Sequence, residues 1–184
     1  AFDESSVVLV LAGKNDIGTS THEIMHVLVG RKTEGSINLP LWLNEGLAEY
    51  ANRDKTISYD LYLDWAIGTN QLKPLSQLRS FPGDPKLTLV AYGQSRSVIN
   101  YLIDNFGETG MNVLLTNISK GKTIDEALIN AYGFDLDTLD SDWRKSIGAG
   151  PYELREESVV EVNDISSGSC RSNNLIFVLP LLLL

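Results

Sequence analysis

His22 and His26 are the only two histidines in a chain of 184 residues, and Glu23 stands between them in the stretch THEIMH, residues 21–26. Four residues apart on a helix, two imidazoles point the same way, about 40° apart around the axis and one turn along it. In that geometry two ring nitrogens can hold one zinc ion, and the intervening glutamate can touch a water on the metal. A catalytic zinc wants three protein ligands and an open fourth position. No third histidine exists and the single cysteine, Cys170, lies far down the chain, which leaves a carboxylate as the strong option. LPLWLNEGLAEY (39–50) offers Glu45, with Glu49 one turn further on the same face.

Such ligands need rigid elements behind them. SSVVLVLAG (5–13) is short and β-branched, and reads as a buried strand. After it, Asn15 or Asp16 can cap a helix running from about Ile17 to Val29 and stopping at Gly30. On that helix Ile17, Ile24 and Leu28 fall opposite the histidines, so the expectation is an imidazole face and an apolar back face anchored in a core. RKTEGSINLP (31–40) is rich in turn formers, and Pro40 suits the first position of the helix that carries Glu45. There Leu43, Leu47 and Tyr50 take the other sides and can pack. Gly46 costs about 1 kcal/mol against alanine in a helix interior; a close helix approach or a neutral defect would each account for it.

Downstream, helical patterns continue through 58–68, and the proline-punctuated 73–85 reads as loop with room for one helical turn. A long amphipathic helix is expected from about Lys86 to Asn105, ending at Gly107, followed by three short helices each closed by glycine. Together these give a mostly α (α+β) domain over residues 1–149. Residues 150–174 turn acidic and then Ser/Asn-rich, a linker with one short strand at SVVEV, and 175–184 is an apolar run, LIFVLPLLLL. Ten residues are half of what a helix needs to span a bilayer. The expectation is a truncated or lipid-type membrane anchor that tethers the folded domain outside the cytoplasm, with a soluble form as the alternative. The formal net charge of −9 argues against a nucleic-acid partner, because a phosphate-binding surface needs a basic stripe.

HEIMH, eighteen further residues, and then the glutamate of WLNEGLAEY resemble the gluzincin clan of zinc peptidases. The likeness is greatest to the aminopeptidase-N-like branch and to small bacterial peptidase MA-like domains. The resemblance implies a zincin-like fold: an edge strand, then the active-site helix, then a helical C-terminal subdomain. It implies one zinc ion held by His22, His26 and Glu45, with Glu23 as general base. Glu49 is similar to the residue that orients a zinc histidine in thermolysin-like members. AYGQSRSVINYL (91–102) is similar to the segment in which a tyrosine opens a long helix after the site, which puts Tyr92 in the place of the oxyanion donor; Gln94 and Ser95 depart from the usual lysine and glycine there. The likeness extends over roughly residues 6–148. It implies a peptide or protein substrate laid along an edge strand, for which Ser6–Leu11 is the candidate. The other function class in play is a catalytically inactive zincin-fold binding domain, against which the retained Glu23 speaks.

Overall fold

A computed structural model describes residues 16–52, 54 and 57–152. The anticipated strand at 5–13, the linker strand at SVVEV and the apolar run 175–184 all lie outside the described residues. Within them, regular structure is entirely helical: α1 (Asp16–Lys32), α2 (Leu41–Ala51), α3 (Ile57–Gly68), a 3-10 turn (Leu75–Gln77), α4 (Pro85–Ser119), α5 (Ile124–Tyr132) and α6 (Leu136–Ser146). No helix among the described residues is long and apolar enough to cross a membrane.

α4 is the spine. It opens on Asp84, whose carboxylate accepts from the Leu87 N–H at 2.9 Å, with Pro85 just inside the start. It is broken once, at Gly107, whose φ of 74° and ψ of 171° are open only to glycine. This is the glycine at which the pattern placed the helix end. α2, α3 and α5 all pack on α4, and α1 packs on α2. The shared core runs from Trp42, Leu43 and Leu47 of α2 through Val98, Ile99 and Leu102 to Leu114, Leu128, Leu139 and Trp143. The 3-10 turn is held from α6, where Asp140 accepts from the Leu75 N–H.

Gly46 sits where α2 crosses α4. A Cβ there would lie 2.6 Å from the Ser95 carbonyl oxygen and 2.7 Å from Ile99 Cγ1. The glycine is thus a close-approach residue, and it brings the helix of Glu45 against the helix of Tyr92. Tyr50, by contrast, is exposed rather than packed.

Two boundaries differ from expectation by local chemistry. α1 runs through Gly30 to Lys32, because its end is closed further on. Glu34 adopts the left-handed conformation (φ 52°), and the Gly35 N–H reaches the Gly30 carbonyl at 3.0 Å. α2 starts one residue later than expected, with Pro40 extended in the capping position.

The orientation of α1 requires a larger correction. Ile17, Ile24 and Leu28 are 65, 48 and 52% exposed, so the apolar stripe is not an anchor in the core. The inward side of α1 is the histidine side, which also carries Gly18, Val29 and Met25. The angular arithmetic separated the two faces, but the polar one turns onto α2 because its imidazoles find partners there.

Candidate metal centre

The residues of α2 that look toward α1 are the polar ones of an otherwise apolar helix. Asn44, Glu45 and Glu49 meet His22 and His26, and each contact is specific. His22 Nε2 and His26 Nε2 stand 3.1 Å apart. Glu45 Oε2 lies 3.7 Å from the first and 3.5 Å from the second. Each of the three side chains can offer one ligand atom, all within 4.8 Å of one another.

The other ring nitrogens are engaged as well. His22 Nδ1 is 3.0 Å from Glu49 Oε1, and His26 Nδ1 is 3.1 Å from Asn44 Oδ1. A carboxylate and an amide carbonyl oxygen can only accept, so in the neutral form of each ring the proton belongs on Nδ1 and the lone pair on Nε2. Two lone pairs and a carboxylate oxygen facing one another repel unless a cation or a proton sits among them. Three ligands at 2.0–2.1 Å from a tetrahedral zinc would have their donor atoms ~3.3 Å apart. The observed 3.1, 3.5 and 3.7 Å match that spacing, and two imidazoles with one carboxylate are a zinc donor set. The residues therefore fit the ion. The hydrogen bond to Glu45 raises the His26 pKa, against the lowering effect of burial, and the contact with Asn44 adds to the rise.

Glu49 is 4% exposed. A carboxylate that deep persists because it is bonded, to His22 Nδ1 on one oxygen and to Asn52 Nδ2 at 3.4 Å on the other. It is not a solvated helix residue.

A cavity of about 310 Å³ opens beside His22, lined by Glu23, Glu49, Tyr59 and Tyr92 together with Thr19, Asn52 and Asp54. Glu23 reaches it from the next position along α1 and makes no hydrogen bond or ion pair among the described residues. Tyr92 enters from the first turns of α4. Burial raises its phenol pKa, and the charges of Glu45, Glu49 and Glu23 add to the effect. Tyr59 is pushed to about 12, again by burial first and then by Glu49. Both phenols keep their protons through neutral pH and can act only as donors toward an anionic oxygen.

Of the six residues singled out in the sequence, the structure brings His22, His26 and Glu45 together and places Glu23, Glu49 and Tyr92 with His22 on the lining of one cavity. It adds three that were missed. Asn44 is a polar residue flanking Glu45 on an apolar helix, which was a visible signal. Asp54 accepts the Gly18 N–H at 2.8 Å and so satisfies an amide at the start of α1 from 36 residues away. Tyr59 had no signal, since only the packing of α3 on α4 brings it to the cavity.

A family model described as the Peptidase MA superfamily matches residues 5–149. No curated protein and no solved structure matches the chain.

Proposed function

The chain belongs to the peptidase MA superfamily, and from that premise we propose that it is a zinc-dependent peptidase of the gluzincin type acting on peptides or proteins. The observation that carries this reading is the convergence of the two imidazole Nε2 atoms and one carboxylate oxygen, with an acceptor standing at each Nδ1. His22, His26 and Glu45 would hold one ion. Bound there, zinc supplies Lewis acidity, polarising a carbonyl and acidifying a water.

The remaining work falls to the protein. Glu49 and Asn44 hold the two imidazoles in the tautomer and orientation that expose Nε2. Glu23, on the lining of the cavity and without a hydrogen bond or ion pair among the described residues, takes a proton from the attacking water and returns it to the leaving amine. Tyr92 donates its hydroxyl to the carbonyl oxygen as negative charge develops on it; a donor of this kind contributes about 10²–10³ in rate. Burial beside three carboxylates keeps that phenol protonated, as the role requires.

The test is metal analysis followed by cleavage of a generic peptide mixture with and without chelator. One zinc per chain and chelator-sensitive cleavage are expected. Glu23→Gln should keep the zinc and lose about 10²–10⁴ in turnover. A Glu23→Gln protein as active as its parent would remove the general base from the mechanism. A parent that holds zinc yet cleaves nothing would favour the second reading, an inactive binding domain of the same fold.

A further inference from the structure

We propose that Tyr59 is a positioning residue for Tyr92, so that α3 belongs to the machinery that sets the oxyanion donor. Three independent contacts support this. The Tyr59 and Tyr92 rings stack, with centroids 5.6 Å apart and planes 19° from parallel, and Phe81 closes against Tyr92 edge-on at 4.7 Å. Tyr92 is therefore in contact with two rings. The backbones are locked at the same level: a Cβ on Gly93, next to Tyr92, would lie 2.7 Å from the Tyr59 carbonyl oxygen. Arg96, one turn beyond Tyr92, pairs with Asp60, the neighbour of Tyr59, and its guanidinium carbon lies 5.8 Å from the Tyr59 ring centre.

The arrangement has a direct consequence for chemistry. A tyrosine on an exposed helix face would sample several rotamers, and a hydroxyl must be held within about 0.5 Å to serve a developing charge. The Tyr59 ring fills the space into which Tyr92 would otherwise turn, and it does so from the wall of the same cavity. It acts through its face rather than its hydroxyl, so phenylalanine should replace it and leucine should not.

This inference rests on the peptidase reading for its kinetic arm only. With zinc-loaded protein, Tyr59→Phe should stay within about threefold of the parent kcat. Tyr59→Leu should lower kcat about as far as Tyr92→Phe does, on the order of 10²-fold, with KM and zinc content unchanged. The double variant Tyr59→Leu/Tyr92→Phe should be no slower than Tyr92→Phe alone. A Tyr59→Leu enzyme with parental kcat beside a slow Tyr92→Phe, or effects that multiply in the double variant, would overturn the inference while leaving the peptidase reading intact. The second arm needs no activity. Near-ultraviolet circular dichroism of the metal-free protein should lose the coupled tyrosine signal in Tyr59→Leu, and Tyr92→Leu should remove the same signal with little further loss in the pair. Independent, additive losses would sink the stacked pair whatever becomes of catalysis.

Discussion

The helical tail and the candidate metal centre are built by opposite rules. In the tail the helix-capping and helix-closing signals agree with the structure. α5 opens on a reciprocal capping box between Thr123 and Glu126 and closes on Gly133 in the left-handed conformation. α6 opens on Asp135, carries Asp137 in its first turn and Arg144 and Lys145 in its last, and buries Leu139 and Trp143. At the centre the local signals fail. α2 begins at Pro40 without a side-chain cap, an amide at the head of α1 is satisfied by distant Asp54, three large apolar residues of α1 face outward and Glu49 is buried. Such departures cluster where side chains are chosen for what they bind. The difference teaches that the tail holds the fold, while the arrangement at the centre is fixed by contacts between helices.

The strongest way to break this division is to damage the tail and read the metal. Trp143 is fully buried and its Nε1 donates to Ser97 Oγ at 3.1 Å. Trp143→Ala should cost about 3–5 kcal/mol in urea unfolding. Zinc affinity, measured below the unfolding transition, should not move. A drop in affinity that tracks the loss of stability would make the two regions one unit. The reverse experiment sharpens the contrast. Glu49→Gln keeps an oxygen for the His22 Nδ1–H and removes the charge. Zinc affinity should fall about 10–100-fold, or about 1.4–2.8 kcal/mol, with little change in the unfolding midpoint of the metal-free protein. Unchanged affinity would leave Glu49 as a space-filling residue.

The contrast also marks what could be read from residue order. Capping and closing residues act within a few positions, so the closing Gly133 and the break at Gly107 showed in the pattern. The grouping of His22, His26 and Glu45 was legible because histidine is scarce here and the i, i+4 spacing puts both rings on one face. The inward turn of the imidazole face was not. Hydrophobicity assigns polar faces to solvent, whereas a cluster that satisfies itself, as His22 does with Glu49 and His26 with Asn44, can be buried. The end of α1 was misplaced because Glu34, not the nearer Gly30, supplies the left-handed residue. Tyr59 was out of reach, since its place at the cavity depends on Gly93 admitting the α3 backbone, a relation between residues 34 positions apart.

The smallest effects test whether the tail is as local as it looks. Thr123→Ala should cost about 1 kcal/mol, the usual worth of a helix cap, and leave zinc binding alone. Its partner supplies a pH signature. The Glu126 carboxylate accepts from the Thr123 N–H at 2.9 Å and from its hydroxyl at 3.0 Å. These bonds favour the charged form, so the folded pKa lies below the usual carboxylate range, the backbone bond being the larger cause. Asp135 is lowered as well, chiefly by the Thr138 side chain and then by its backbone N–H. For a depressed pKa the unfolded chain takes up the proton first as pH falls. The stabilisation is therefore complete above the ordinary carboxylate pKa of about 4.3 and is lost as pH drops from there through the folded value. Glu126→Gln cannot titrate, so the difference in urea midpoint between parent and variant, measured on metal-free protein, should be largest at neutral pH and shrink in acid. A difference that stays constant with pH would mean that the carboxylate contributes nothing through its charge, and the tail would owe its order to packing on α4 rather than to its own caps.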